Sequence, residues 1–289
     1  MLTNAVRPYR KLRQTIYNVV AFIILTIGAL PAVWIIFTAF RPGNEVNVRP
    51  AVWIPQKLTL DAFEKLFGGD PDVAAPVPVR DYMWNSIRVA VLSTLIVLIL
   101  GTMAGYAFSR FRFRGHTLVF LFIMLSRSIP GVALGFPLFL LMRKYELVDT
   151  VHGLAFVYVA VNLPITVWLM DGFFRQIPPE LDEAAYIDGC GYWLAFWRID
   201  LPLALPGISA SAIFAFLAAW NEYQLASLIT GTPDAKTFPV GLYDFTSQFT
   251  VDWRGMCAMS VLMIIPAVIF VLLTQRSMIR GLTFGAIKG

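Results

Sequence analysis

The sequence predicts an all-α, polytopic membrane protein with six transmembrane helices. Of its 289 residues, 58% are hydrophobic and only 14% are charged, and the mean hydropathy is +0.69. That is too apolar for an ordinary soluble domain. Apolar runs of about 20 residues recur, the length a helix needs to cross the hydrocarbon core of a bilayer. Lysine and arginine gather in the short segments between those runs, which is how orientation in a membrane is set. The net charge of +5 therefore gives no argument for nucleic acid.

The expected spans are residues 16–39, 84–108, 117–141, 151–172, 206–229 and 257–275. The first run, Ile16 to Phe40, is too long for a cleaved signal peptide and ends at Phe40-Arg41-Pro42 rather than a small-x-small site, so an uncleaved anchor is expected. Prolines mark ends, as at Pro206, and fall inside spans at Pro130, Pro137, Pro164 and Pro266. A span tolerates an internal proline only where neighbouring protein satisfies the freed carbonyl, so a packed bundle with broken helices is expected. Arg7, Arg10, Lys11 and Arg13 precede the first span, Arg110, Arg112 and Arg114 follow the second, and Arg276, Arg280 and Lys288 follow the sixth. With an even number of spans, this places both termini and the loop 173–205 in the cytoplasm. The segment 41–83, proline-rich and mixed in charge, becomes an external irregular lobe. Three parts result: 1–79, a membrane core 80–277 that includes the loop 173–205, and a cytoplasmic tail 278–289. Cys190 and Cys257 fall on opposite sides of the membrane, which argues against a disulfide. His116 and His152 lie far apart without companion ligands, so no metal site is expected.

The loop 173–205 carries the most information. Pro178-Pro179 starts a helix after a break, and Glu180, Asp182 and Glu183 crowd its first turn, which complements the helix dipole. Ala184 and Ala185 are expected to keep one face flat. Gly189 stops or bends the helix, and Trp193, Phe196 and Trp197 supply apolar anchors before Pro202 and Pro206 re-enter the membrane. A short exposed helix tied to two spans fits a socket on a moving partner. Taken alone, it fits an amphipathic loop on the membrane surface equally well.

A resemblance separates those readings. Glu183, Ala184, Ala185, Gly189, Ile199, Leu201 and Pro202 match the EAA loop of ABC-importer permeases. Further phrases agree: Asn85-Ser86, Tyr106 to Phe111, Gly172-Phe173-Phe174 before Ile177-Pro178-Pro179-Glu180, Trp220-Asn221-Glu222, and Gly281 to Gly289. Over residues 80–289 the chain resembles the carbohydrate-uptake branch, in particular the second permease of maltose-type importers. The resemblance implies a type I ABC-importer bundle in a bacterial inner membrane. It also implies a homologous second permease, two cytoplasmic ATPase subunits and an external solute-binding protein as partners. Glu183, Ala184, Ala185, Asp188 and Gly189 would dock into the ATPase, and a tail with Gly281, Gly285, Lys288 and Gly289 would reach it. The chain has no G-x-x-x-x-G-K-[ST] loop of its own, so ATP and Mg are expected on the partner subunits and no cofactor on this one.

Polar residues inside spans are the candidates for a solute path. A charge at mid-bilayer costs about 2.5–3.5 kcal/mol on insertion scales and rarely faces lipid. Glu222 shares a helical face with Ser211, Ala215, Ala218 and Ala226, and either pins another helix or lines the path; Asn221 and Gln224 flank it. Tyr158, Asn162 and Thr166 form one stripe at i, i+4, i+8, with Pro164 inside it. Such a stripe suits a sugar or an interhelical hydrogen-bond network. Arg127, among Ser126, Ser128, Ile129, Pro130 and Gly131, marks a broken helix and serves either a structural or gating role or contact with an anionic solute. The small residues Ser86, Ala90, Ser93, Gly101 and Gly105 read as a packing face.

The leading expectation is thus a permease subunit of an ATP-driven importer for a sugar or related polar solute. Importers of a polyol, glycerol phosphodiester or peptide are the near alternatives. An ion-coupled secondary transporter lacks a carboxylate cluster, Glu222 standing nearly alone, and an enzyme lacks any nucleophile–base constellation.

Overall fold

The computed structural model of the chain describes residues 6–46, 48–50, 52–68, 77–247 and 250–286. Among them the regular elements are helical, with one isolated bridge pairing Thr246 and Val251. In order they are α1 (Val6–Ala39), α2 (Asp61–Leu66), α3 (Val79–Arg110), α4 (His116–Ser126), α5 (Gly131–Lys144), α6 (Val151–Gln176), α7 (Glu180–Ile187), α8 (Tyr192–Ala195), α9 (Leu201–Leu203), α10 (Leu205–Trp220), α11 (Gln224–Ile229), α12 (Phe238–Gly241) and α13 (Trp253–Ala286). A π-helical turn over Phe196–Asp200 joins α8 to α9.

Four segments are long and apolar enough to span a bilayer unbroken: Arg13–Ala39, Val79–Arg110, Val151–Gln176 and Trp253–Gln275. Two bent pairs complete six if each counts as one span. α4 and α5 meet at 97°, and the stretch Tyr192–Leu203 meets α10 at 71°. The expected span 117–141 is therefore two helices. Ser128 closes the last turn on Leu125 O at 2.9 Å, and Pro130 is extended (ψ 135°) before α5 begins. The expected span 206–229 is also two helices, with Asn221–Tyr223 between α10 and α11. Pro137, Pro164 and Pro266, expected to interrupt their spans, stay inside continuous helices. A proline removes one intrahelical bond, and α6, packed against α3 and α10, continues unbroken through it. At the other end, α13 is described to Ala286, so Gly281 and Gly285 lie in its last turns. Lys288 and Gly289 lie outside the described residues.

The chain divides into two compact units, residues 1–76 with 245–262 and residues 77–244 with 263–289. In the first, the apolar stretch of α1 is wholly unburied, with Phe22 and Leu25 each 71% exposed. The following lobe is organised by Arg41, which is 1% exposed: its guanidinium lies 4.8 Å from the Trp34 ring centre and donates to Val52 O. Trp53 packs edge-on against Trp34 at 5.0 Å, and Thr59 N–H donates to Phe40 O at 2.8 Å.

The second unit is built on α3 against α6, with α10 laid on both. Close approach depends on the small residues of α3. A Cβ on Gly101 would sit 2.5 Å from Thr166 Cγ2, and one on Gly105 would sit 2.6 Å from Met170 Cβ and 2.8 Å from the Asp171 backbone nitrogen. Small residues four apart thus bring the backbones together as expected. At the far end of α3, Asn85 Nδ2 donates to Pro233 O (2.8 Å) and Lys236 O (3.1 Å), while Ser86 Oγ accepts from Phe238 N–H at 2.7 Å. Asp149 fastens the chain after α11, accepting from Gly231 N, Thr232 N and Thr232 Oγ1 at 2.8, 3.1 and 2.6 Å.

Candidate functional site

The loop between α6 and α10 is held from the end of α3. Pro179 O accepts from Asp182 N and Glu183 N to start α7. Its end is a Schellman cap: Cys190 N–H donates to Ala185 O at 2.9 Å and Gly189 N–H to Tyr186 O at 3.1 Å. The cap needs a left-handed residue, and Gly189 supplies it at φ 83°. Nothing lies within 4 Å of a Cβ built there, so conformation and not space explains the glycine.

The two alanines do not form one flat face. Ala185 is buried against the bundle whereas Ala184 is exposed, as successive helical positions must point about 100° apart. The outward face of α7 carries Glu180, Leu181, Glu183, Ala184 and Ile187, the last 86% exposed. Asp188, the C-cap, is also exposed. Among the described residues Glu183 makes no ion pair. The anchors also differ from expectation. Phe196 is buried, stacked between Tyr106 and Trp193, but Trp193 and Trp197 are 62% and 51% exposed.

The inward face holds what the sequence reading missed. Arg110, the last residue of α3, places Nε 2.8 Å from Asp182 Oδ2 and Nη2 2.9 Å from Asp200 Oδ1, and Nη1 donates to Ile177 O at 3.2 Å. Its N–H at Nε is not aligned for a hydrogen bond, so Asp182 is held by charge proximity. The side chains of Arg110, Asp182 and Asp200 are 12%, 6% and 0% exposed. Tyr106, Met170, Phe174, Ile177, Phe196 and Ala204 form the apolar cluster beside them. Burial, then the adjacent Asp200 carboxyl, pushes the Asp182 carboxyl up to about 6 against the pull of Arg110. The only sequence signal was an arginine at a helix end two residues from others; Arg112 and Arg114 are exposed, as orientation charges should be. A further buried acid, Asp171 near the end of α6, escapes the reading of Glu222 as nearly alone. Arg175 Nε donates to it at 2.8 Å.

The second group of candidates surrounds the α4–α5 break. A cleft of about 170 Å³ is lined by Ser126, Arg127, Gly131, Ala160, Val161 and Pro164, among others. Pro164 leaves the Ala160 carbonyl without a helical donor, so this wall of the cleft carries a free acceptor. Arg127, Asn221 and Gln224 are exposed. Arg127 makes no side-chain ion pair among the described residues, and Gln224 Oε1 approaches Gly131. Asn221 Nδ2 turns back to Leu217 O at 2.8 Å.

The stripe on α6 is placed differently. Tyr158, Asn162 and Thr166 are 1%, 6% and 1% exposed. Thr166 lays its methyl against Gly101 and donates to Asn162 O, and Tyr158 OH donates to Glu222 O at 3.4 Å. Burial leaves Tyr158 and Thr166 no open surface for a solute in this conformation. Glu222 ties neighbouring helices together: its carbonyl receives Tyr158 OH from α6. In the break after α10 its carboxylate accepts from Leu225 N (2.9 Å) and Ala226 N (3.1 Å), capping α11.

An all-helical membrane bundle with a braced loop outside the spans and a broken-helix cleft inside defines a transport subunit rather than an enzyme. The chain belongs to the binding-protein-dependent transport system inner membrane component family, whose model matches residues 97–283. It is 36% identical over 287 residues, 99% of each chain, to a probable ABC transporter permease protein of Sinorhizobium fredii. It is 35% identical to the trehalose transport system permease protein SugB of Mycobacterium tuberculosis over 279 residues, 96% of this chain and 98% of that one. The trehalose/maltose permease protein MalG of Thermococcus litoralis is 34% identical with the same coverage. The fold matches a chain of a crystallised bacterial ABC transporter involved in alginate import, at TM-score 0.76 and 20% identity, covering 96% of this chain and 98% of that one. The protein is therefore a multi-pass inner-membrane permease of an ABC importer, and ATP hydrolysis belongs to other subunits.

Proposed function

We propose that this permease forms half of the path for a carbohydrate. It would pair with a homologous permease, take solute from an external binding protein and alternate access as two cytoplasmic ATPase subunits, holding ATP and Mg, close and open. Both termini are cytoplasmic in this reading. α7 is the coupling helix, with Glu183, Ala184, Ala185, Asp188 and Gly189 as its signature and Gly281, Gly285, Lys288 and Gly289 in a tail directed to the ATPases. Relatives named for trehalose, maltose and diacetylchitobiose transport support a sugar as solute. Arg127 at the α4–α5 cleft, with Gln224 beside Gly131 and Asn221 in the break after α10, are the path residues the exposure pattern favours; Asn162 is buried, and Tyr158, Thr166 and Glu222 support the helices around them.

One observation carries the coupling assignment: α7 presents an exposed acidic and apolar face while its other face is locked into the bundle by Arg110. A lever must be free on one side and fixed on the other. Glu183→Lys tests it. The variant inserts normally but loses co-purification with the ATPase subunits and uptake of labelled trehalose or maltose, used as probes. Normal ATPase binding in that variant removes α7 from the role.

A further inference from the structure

The pair of carboxylates behind α7 does not balance its charge. One guanidinium, Arg110, faces two carboxylates, Asp182 and Asp200, in a site from which water is nearly excluded. Asp182 Oδ1 and Asp200 Oδ2 have no hydrogen-bond donor, although Arg110 gathers both carboxyls to one guanidinium. The buried Tyr106 hydroxyl also lacks a partner. A net buried charge and two orphan acceptors are costly together. A single proton held between the carboxyls removes both problems: the cluster becomes neutral and one carboxyl donates to the other. The other titratable groups facing it are Tyr106 of α3 and Tyr186 of α7; Tyr192 of α8 faces Tyr186 in turn.

The connections of Arg110 matter as much as its charge. It touches Ile177 at the entry to the loop, Asp182 within α7 and Asp200 in the π-turn at the exit. All three segments converge on one side chain at the end of α3. α3 in turn lies close against α6: a Cβ on Gly101 would meet the Thr166 side chain and one on Gly105 would meet Met170 and the Asp171 backbone nitrogen.

We propose that Arg110 is the positioning residue through which displacement of α7 enters the α3–α6 pair, and that one proton bound between Asp182 and Asp200 locks this strut. This rests on α7 being the coupling helix. Binding the proton tightens the joint as pH falls; losing it leaves two charged carboxylates competing for Arg110 and loosens α7 from α3.

Pulsed spin-label distances test the joint directly. Labels are attached to the native Cys190 at the end of α7 and to a cysteine replacing the exposed Leu100 on α3, with Cys257 changed to serine, in the vesicle-reconstituted complex with its ATPase subunits. Measurements are made before and after trapping with ATP and vanadate, at pH 5 and pH 8. The wild-type distance distribution is expected to be narrow at pH 5 in both nucleotide states and at least twice as wide at pH 8. Asp200→Asn, which supplies a permanent donor and removes one charge, is expected to stay narrow at both pH values. Arg110→Lys is expected to be broad at both. A wild-type width that ignores pH, an Asp200→Asn width that follows wild type, or an Arg110→Lys width as narrow as wild type overturns the proposal. If Arg110→Lys does not assemble, the Asp200→Asn comparison decides alone. Docking is read separately through Glu183→Lys: ATPase binding retained there sinks the coupling-helix reading, whereas a pH-insensitive width with docking lost sinks only the strut.

Discussion

Replacing Gly189 by alanine isolates a purely conformational contribution to the coupling loop. The residue sits at φ 83°, and a Cβ built on it meets nothing within 4 Å, so no steric contact changes. What changes is the backbone: an L-residue in the left-handed region costs about 1–2 kcal/mol relative to glycine. That is a factor of about 5–30 in the ratio of open to closed cap. Two amide bonds report on the cap, Cys190 to Ala185 and Gly189 to Tyr186. Hydrogen exchange in bilayer discs, read at peptides covering 184–192, should accelerate by that factor in Gly189→Ala. Gly189→Asn should lose less, because asparagine visits the left-handed region more readily. Gly189→Val should lose most. Protection in the alanine variant equal to wild type refutes the reasoning, and so does an asparagine variant as labile as the valine one.

Gly105→Ala should cost about 1–3 kcal/mol, since its Cβ meets backbone atoms of α6 that cannot move aside singly; thermal denaturation in detergent reads it. Glu222→Gln keeps an acceptor for the α11 amides and should preserve fold and uptake, whereas Glu222→Ala should lose about 0.5–2 kcal/mol of stability by the same measurement. Two carboxyls give opposite pH signs. Burial raises the Asp149 carboxyl, but hydrogen bonds from Thr232 and Gly231 outweigh it and hold it below 3.8. Its contribution is therefore full above pH 3.8 and lost as pH falls through the lower folded value, and Asp149→Asn should flatten that acid limb. Asp182, raised to about 6 by burial and Asp200, works the other way: its stabilisation is full below 3.8 and declines as pH rises through about 6. Denaturation midpoints from pH 5 to 8 should fall in wild type and change less in Asp182→Asn.

The spans were legible because hydrophobic length is a property of sequence alone; their breaks were only partly so. Proline reports a lost hydrogen bond, not whether the neighbours compensate for it. Pro130 follows the tight turn after α4 and stands extended before α5, while Pro164, between α3 and α10, stays in an unbroken helix. The break after Trp220 contains no proline. Its signal was Asn221 and Tyr223, two residues of modest helix propensity either side of Glu222, and it was hidden by apolar residues around them. The glycines of α3 were read correctly because small residues four apart have few other uses in a membrane helix. Asn85 and Ser86 were visible as a phrase, but their work, receiving the chain at Pro233–Phe238, depends on contacts about 150 positions away that no local pattern encodes.

Charge shows the same limit more sharply. Polarity in an apolar stretch says that a side chain must be paired, lined or capped, but not which. Glu222 is read as a pin or a lining group; it caps α11 and receives Tyr158 OH from α6. Thr166 sits on a stripe read as suiting a sugar or an interhelical network, and it lies against Gly101. Arg110 was counted with Arg112 and Arg114 as an orientation charge, yet its guanidinium is enclosed by the loop it follows in space rather than in sequence. The difference lies in Asp182 and Asp200, some 70 and 90 positions further on. Once they fold over it, an arginine that orients the chain also joins a spanning helix to the element outside it. A coupling loop needs such a joint: the exposed Glu183 face transmits nothing unless the opposite face is fixed. Uptake lost in Arg110→Lys while Arg112→Lys and Arg114→Lys remain active would separate these two roles of arginine within five residues of sequence; equal loss in all three would return Arg110 to the orientation charges.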